Sequence, residues 1–240
     1  MAQNNLRILY ANKLTNATGG LAPSNLLNDF KSQTSTSSTF TLTTSSLTGK
    51  VAVVALLAET TASITMTVNG TAEVESTYSL ISSPGTLGYG GGKYVVVYLT
   101  LAAATTSFSV TFSSAVKVSR FIVGNYWSPT YNTSFGVQVG YEDLTTTERL
   151  QSGDLYNTPG PRHKTLSFSL DYVTDAEKFK LFDIVKLLGK SKPLFVSVFP
   201  EDTDVEREQM YSIYGKFTNL PSITYAMFTK YTSSLQLEEI

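Results

Sequence analysis

Short segments in which apolar and hydroxyl side chains alternate dominate the first half of this 240-residue chain. SFSVTF, for example, places Phe108, Val110 and Phe112 on one face, and ITMTV repeats the pattern from residue 64. A period of two predicts strands that bury one face, and this half has no plausible helix. Strands of this kind, separated by Gly, Pro and Asn turn signals, predict an antiparallel β-sandwich or jelly roll.

A hydroxyl-rich run, SQTSTSSTFTLTTSSLTG, contains 13 Ser or Thr residues in 18. Low complexity of this kind is typical of linkers. Phe40, Leu42 and Leu47 nevertheless recur in the run at strand-like intervals. We therefore predict an edge strand and a turn here.

Two glycine-containing segments predict turns. Asn69-Gly70 is the dipeptide that best suits a type I′ hairpin turn. GTLGYGGGK, residues 85–93, ends in lysine as a phosphate-binding loop does, but the spacing of that motif is not met. Because a strand-like run follows it in place of a helix, we predict a hairpin or loop tip.

The two halves differ in charge: residues 1–120 carry 11 Asp, Glu, Lys and Arg residues, and residues 121–240 carry 26. We place a domain boundary between residues 124 and 125. Residues 1–124 are predicted to form the β-sandwich, and residues 125–240 a small α+β domain of antiparallel sheet with one covering helix.

In the second half, HKTLSFSLDYV alternates and predicts a strand with one buried face, formed by Leu166, Phe168, Leu170 and Tyr172. The period then changes to that of a helix. Thr174 and Glu177 match a capping box, and Gly189 is placed to end the helix. The predicted apolar stripe of the helix comprises Phe182, Val185 and Leu188, widened by Leu181 and Ile184.

No constellation for catalysis, cofactor binding or metal binding is evident. Cysteine is absent, and the single histidine, His163, has no nucleophile motif beside it. The acidic segment PEDTDVERE lacks the ligand spacing of a calcium loop and is predicted to be a solvated turn. We expect neither enzymatic activity, nor a cofactor, nor a bound metal.

Charge and hydropathy bear on possible partners. With 18 basic and 19 acidic residues the net charge is −1, and no basic stripe is present, so nucleic acid is not an expected partner. The longest apolar stretches are too short or too interrupted to span a bilayer. The start, MAQNNLRILYANKL, lacks the organisation of a secretory signal, so synthesis without Sec export is expected.

The segment around the only tryptophan has two interpretations. Exposed together, Tyr126, Trp127 and Tyr131 would stack on sugar rings, as in carbohydrate-binding modules. Buried, Tyr126 and Trp127 would close a junction between the two halves, together with Phe121 and Pro129. A tryptophan at the end of an apolar strand is usually largely buried, which favours the junction.

The order of segments resembles virion proteins of tailed bacteriophages. RILYANKLTNATGGLAPSNLLND, the Thr-rich strands and VSRFIVGNYWSP resemble the galactose-binding-like (discoidin-type) jelly roll found as an N-terminal module in such proteins. The region from YNTSFGVQVG to PLFVSVFP and the terminal SLQLEEI resemble distal-tail-type proteins of the tail tip or baseplate. The shared features are a YWSP junction, an LSFSL strand, a GKS turn after a helix and an acidic end.

The resemblance implies a structural subunit of a phage tail tip, baseplate or collar. It would form a homo-oligomeric ring by head-to-tail contacts, connect the tail tube to tip, hub or fibre proteins, and be assembled in the host cytoplasm. The loops 142–162 and 200–209 are expected to reach neighbouring subunits. The predicted interface residues are Glu142, Arg149, Tyr156, Arg162, Asp202 and Arg207.

A carbohydrate-binding adhesion module that contacts host-surface glycans is the alternative interpretation. It differs from the first in its partner, since a glycan-binding module need not assemble into a ring. The jelly-roll loops contain few Arg, His or Trp residues, which departs from the pattern of sugar-binding relatives.

Overall fold

A computed structural model describes residues 5–28, 32–58, 64–70, 76–80, 93–227 and 229–240 of the chain. These residues form a mainly β structure with two α-helices and one short 3-10 helix, Pro23–Leu27. The strands are β1 Arg7–Leu9, β2 Leu14–Thr18, β3 Ser35–Leu57, β4 Ile64–Gly70, β5 Ser76–Leu80, β6 Lys93–Trp127, β7 Gln138–Asp143, β8 Thr146–Arg149, β9 Leu155–Thr158, β10 Arg162–Val173, β11 Leu194–Ser197, β12 Ser212–Asn219, β13 Ile223–Met227 and β14 Lys230–Glu239. The helices are α1 Asp175–Leu188 and α2 Val205–Met210.

One large antiparallel sheet contains 12 of the described strands. Its main path runs β2-β3-β6-β1-β11-β12-β14-β10-β7, with β4 and β5 attached through β6 and β13 attached to β14. Strands β8 and β9 form a separate two-stranded sheet. The prediction of a mainly β fold with antiparallel sheet is confirmed.

Strands β3 and β6 are long because each changes its pairing along its length. The first half of β3 pairs with the middle of β6, where Phe40 lies opposite Val110. The second half of β3 lies between two segments of β6, so that Val53 is opposite both Val97 and Val123. The sequence reflects this change: TFTL alternates and buries one face, whereas VAVVALL is apolar throughout and is buried on both faces.

Two sequence predictions in this region need correction. The hydroxyl-rich run is part of β3 and buries Phe40, Leu42 and Leu47, but it is not an edge, because β2 and β6 flank it. Asn69 and Gly70 do not form a two-residue turn, since both remain in β4 and pair with β6. Residues 85–92, which contain the predicted glycine-rich tip, lie outside the described residues.

Three hydrophobic clusters organise the structure. The first is formed by side chains of β2, β3, β4 and β6 and of the 3-10 helix. The second is formed by α1, by β10 to β14 and by Leu6 and Ile8 at the start of the chain. A third, which we call the seam cluster, contains side chains from both regions: Leu9, Ala52, Val54, Leu56, Tyr94, Val96, Ile122, Phe195 and Tyr214, with Tyr98, Tyr126 and Ile240 packed against it.

The large sheet continues across the predicted domain boundary. Strand β6 runs on to Trp127, and β1 pairs with both β6 and β11. The N-terminal segment thus contributes Leu6 and Ile8 to the core of the second half. The division into residues 1–124 and 125–240 stays a prediction.

Strand β10 buries Leu166, Phe168 and Leu170 as its alternation predicts. Tyr172 was expected on the same face, but its side chain is 52% exposed. The cause is a shift in the pairing of β10 with β14 between Leu170 and Val173, which gives the buried position to Val173.

Helix α1 begins and ends where the sequence predicts. The backbone N–H of Thr174 donates to Glu177 Oε2 at 3.0 Å, and Gly189, with φ of 55°, donates from its N–H to the Val185 carbonyl at 2.8 Å. The buried stripe is Leu181, Ile184 and Leu188, with Val185 half-buried. Phe182, predicted to be in the stripe, is 59% exposed.

Residues 200–204 of the acidic segment form a turn as predicted, but the rest of the segment is wrongly predicted, since it begins a second, six-residue helix, α2. Asp204 caps it by accepting a hydrogen bond from the N–H of Arg207 at 3.2 Å. No helix among the described residues is long and apolar enough to cross a membrane.

Candidate functional site

The end of β6 joins the two regions of the chain. Trp127 lies opposite Ile8, and Tyr126 lies opposite Leu9. Because successive residues of a strand point to opposite faces, Trp127 packs against the second cluster while Tyr126 packs against the seam cluster. Phe121 lies deeper, in the first cluster, with its ring centroid 5.1 Å from that of Phe40.

Arg7 stacks on two tyrosines beside this strand end. Its guanidinium carbon lies 4.0 Å from the ring centroid of Tyr98 and 5.2 Å from that of Tyr126, and its Nη2 donates to Glu201 Oε2 at 2.7 Å. Burial raises the pKa of Tyr98 well above its ordinary value, and the nearby charge of Glu208 adds to this effect. Burial also raises the pKa of Tyr126, so both rings are neutral at physiological pH.

The segment that follows Trp127 is fastened by hydrogen bonds. The side-chain amide of Asn5 donates to the carbonyls of Pro129 and Thr130, each at 2.9 Å. The N–H of Thr130 donates to Glu177 Oε1 at 2.6 Å, which ties the segment to the first turn of α1. Pro129 is buried in this arrangement.

Tyr126, Trp127 and Tyr131 lie in three different surroundings. Tyr131 is half-exposed, with its ring centroid 5.9 Å from that of Tyr172 and the Nζ of Lys230 4.7 Å from its centroid. The contacts of Tyr126 and Trp127 are instead with the seam cluster and the second cluster. Both the junction role and the glycan contact stay predictions.

A buried polar network forms a second link across the seam. The N–H of Tyr94 donates to Gln209 Oε1 at 2.8 Å, and Gln209 Nε2 donates to the Tyr94 carbonyl at 2.5 Å. The Tyr94 hydroxyl accepts from the N–H of Tyr214 at 3.0 Å and donates to Glu239 Oε1 at 3.5 Å. Strand β6 is thereby joined to α2, β12 and β14.

Lys164 is part of the same network and is only 7% exposed. Its Nζ donates to the carbonyls of Gln209 and Ser212 at 2.8 and 2.9 Å. Burial lowers the pKa of Lys164 to about 8, while the charge of Glu239 opposes that shift. For Tyr94, burial and then the charge of Glu239 raise the pKa well above its ordinary value.

The sequence contains signals for this network that the search for catalytic motifs overlooked. Tyr94 opens an apolar run, and a buried tyrosine hydroxyl needs a hydrogen-bond partner. Lys164 lies two residues before Leu166 and four before Phe168 in β10, so the alternation places all three side chains on the same, buried face.

The predicted interface residues at the base of the 142–162 segment pair within the chain. Arg162 Nε lies 2.7 Å from Asp143 Oδ2. Hydrogen bonds from Thr145, and then the bond from Arg162, lower the pKa of Asp143 to about 2. Glu142 Oε2 lies 3.2 Å from Nε2 of His163, the chain's single histidine.

Residues of the second predicted interface segment, 200–209, also form hydrogen bonds with each other. Arg207 donates to both carboxylate oxygens of Asp202, from Nε at 2.5 Å and from Nη2 at 2.7 Å. Its guanidinium carbon lies 5.6 Å from the ring centroid of Phe199. The two residues hold the start of α2 in place, and a role in contacts between subunits stays a prediction.

The predicted loop 142–162 contains an exposed hairpin, which we call the hairpin arm, residues 144–160. Strands β8 and β9 pair in register, with Glu148 opposite Tyr156 and Arg149 opposite Leu155. All eight strand residues are exposed. The turn is closed by the N–H of Gly153, which donates to the Leu150 carbonyl at 2.9 Å.

The described residues contain no group of three or more acidic or histidine side chains arranged to hold a metal ion. Comparison with protein family models, with curated proteins and with solved structures found no match to this chain.

Proposed function

We propose that this chain is a structural subunit of a phage tail tip, baseplate or collar, which assembles into a homo-oligomeric ring between the tail tube and the tip, hub or fibre proteins. In this proposal its role is assembly rather than catalysis, its location is the virion tail, and assembly takes place in the host cytoplasm. The sequence resemblance to distal-tail-type proteins described above supports the proposal.

The hairpin arm is the observation that carries the proposal. An isolated two-stranded hairpin is at best marginally stable in water. Here both strands are exposed along their whole length, and Leu150, Leu155 and Tyr156 present large apolar side chains to solvent. A neighbouring subunit would supply the packing that the described part of the chain does not give this arm.

The finer architecture belongs to the same proposal. We infer that β2 to β6 form a galactose-binding-like jelly roll around the first cluster, with residues 125–240 as the ring-forming domain. The change of pairing partners along β3 and β6 supports this, because strands that bend at irregular pairings can pass from one packed layer to another.

Size-exclusion chromatography with light scattering tests the proposal. We expect the purified chain to form multimers, or to co-assemble with the tail-tube protein, and a variant with residues 146–158 replaced by a short Gly-Ser linker to lose that assembly. A chain that stays monomeric at every concentration, with or without tube protein, and that binds host glycans would favour the adhesion module instead.

A further inference from the structure

Helix α1 carries an unusual outer face. A helix on a protein surface normally presents polar side chains to solvent. Phe179, Phe182 and Leu187 are all exposed, and the side chain of Phe179 is 66% exposed. Beside Phe179, Lys178 Nζ contacts the ring of Tyr231, whose centroid lies 5.3 Å from that of exposed Tyr225. We call the four exposed side chains Phe179, Phe182, Leu187 and Tyr225 the helix patch.

The helix patch and the hairpin arm lie at opposite ends of β10. The arm leads into the first residue of the strand, Arg162, and α1 starts two residues after the last, Val173. The twelve residues of β10 are joined by eleven steps of about 3.3 Å, which separate these ends by roughly 36 Å. The arm extends over about eight residues from its base at residue 144 to its turn, or about 26 Å, so it is too short to reach Phe179 of its own chain.

Charge also distinguishes the two surfaces. The arm carries Glu148 and Asp154 against a single base, Arg149, whose Nη1 donates to the Gly153 carbonyl. Residues 175–192, which comprise α1 and the turn after it, contain five lysines, Lys178, Lys180, Lys186, Lys190 and Lys192, against three acidic residues, Asp175, Glu177 and Asp183. The two surfaces thus have opposite net charge around their apolar side chains, which favours contact between them.

We propose that the hairpin arm of one copy docks on the helix patch of the next copy. This proposal rests on the ring assembly proposed above and names the contact that builds it. Two different patches at opposite ends of one strand make a heterologous contact, and repeating that contact closes a ring when the rotation between copies permits. Tyr156 and Leu150, which share one face of the arm, then cover Phe179 and Phe182, so that both apolar surfaces leave water together. Leu155 lies on the other face of the arm and stays accessible beside the contact.

Site-specific cross-linking tests this contact. Because the chain has no cysteine, a Leu155→Cys chain mixed with a Phe182→Cys chain can be linked by a short bismaleimide only between copies at the introduced thiols. We expect the mixture to give a covalent dimer in high yield. Ala104→Cys, an exposed position on β6, replaces Leu155→Cys in the control mixture and is expected to give only background cross-linking.

The outcomes separate this contact from the ring itself. If the wild-type chain assembles by light scattering but the Leu155→Cys and Phe182→Cys mixture does not exceed the Ala104→Cys control, the contact is wrong and the ring stands. If the wild-type chain fails to assemble even with tail-tube protein, both proposals fail.

Association constants give a second readout that does not depend on linker geometry. Phe182→Ser and Tyr156→Ser are each expected to raise the dissociation constant between copies about 30-fold, as loss of a central aromatic contact does. Tyr172→Ser, another exposed aromatic side chain outside both surfaces, is the matched control. Unchanged association for both Phe182→Ser and Tyr156→Ser, with melting temperatures equal to wild type, would overturn the proposed contact.

Discussion

Lys164 and Glu239 are bonded to each other within the buried polar network at the seam: the N–H of Lys164 donates to Glu239 Oε2 at 3.1 Å, and each residue is 7% exposed. The ammonium group of Lys164 donates to two backbone carbonyls of the α2–β12 segment. The hydroxyl of Tyr94, from β6, meets the other carboxylate oxygen. Two oppositely charged residues of the second half of the chain thus meet Tyr94 of the first half in a site with little access to water.

Lys164→Met is expected to lower the free energy of unfolding by about 3 kcal/mol. Removing one member of a buried pair leaves the other charge, here that of Glu239, without compensation. Chemical denaturation measures the loss, and Lys50→Met, at an exposed position, should change stability by less than about 0.5 kcal/mol. Adding Glu239→Gln to Lys164→Met should recover part of the lost stability. A double variant with the same free energy of unfolding as Lys164→Met would contradict an interaction between the two charges.

The lowered pKa of Lys164 predicts a pH dependence. The folded chain releases this proton near pH 8 and the unfolded chain near pH 10.5. Between these values the unfolded state binds more protons, so this contribution to stability grows as pH rises and is lost as pH falls toward 8. The difference in unfolding free energy between wild type and Lys164→Met should grow with pH, by at most about 3 kcal/mol. A difference that is constant from pH 7.5 to 9.5 would contradict the buried charge.

The position of the buried stripe on α1 is tested by two adjacent residues. Leu181 is fully buried and Phe182 is exposed. Leu181→Ala should cost about 2–5 kcal/mol by leaving a cavity, whereas Phe182→Ala should cost less than about 1 kcal/mol. Thermal unfolding of the two variants at equal concentration measures the difference. A lower melting temperature for Phe182→Ala than for Leu181→Ala would show that Phe182 faces the core.

Gly124 is required by a close approach of the chain to itself. A Cβ at this position would lie 2.0 Å from the carbonyl oxygen of Ala11. Gly124→Ala should therefore displace the N-terminal segment and cost about 1–3 kcal/mol. At Gly140 the nearest atom to an added Cβ is the side-chain oxygen of Thr165, at 3.1 Å. Because that side chain can rotate, Gly140→Ala should destabilise the chain clearly less than Gly124→Ala. Equal melting temperatures for the two variants would rule out the close approach of Ala11 to Gly124.

Alternation in the sequence predicted most buried faces of the strands, but not where the alternation breaks. Phe108, Val110 and Leu166 are buried as predicted because paired strands keep a strict period of two. Tyr172 was misplaced because a shift in strand pairing is not encoded in local periodicity. The five residues predicted to form the apolar stripe of α1 span more than one helical face, so spacing alone did not decide between Leu181 and Phe182.

The seam was harder to predict than the strands. The β1 strand of the N-terminal segment inserts between β6 and β11, and nothing in the local pattern of RIL indicates that distant pairing. The network of Tyr94, Lys164 and Glu239 combines residues from three separate strands, and their proximity follows only from the order of strands in the sheet.

Trp127→Ala tests the junction directly. Complete burial of a tryptophan would predict a loss of 3–5 kcal/mol on truncation. Because Trp127 is half-buried against the second cluster, we expect a loss of about 2 kcal/mol, and a smaller loss for Trp127→Phe, which keeps an aromatic ring. Thermal unfolding followed by circular dichroism gives the stability, and a glycan array run on the same variants gives binding. A Trp127→Ala chain that melts as wild type does but loses affinity for a sugar would assign this side chain to glycan recognition and remove it from the junction.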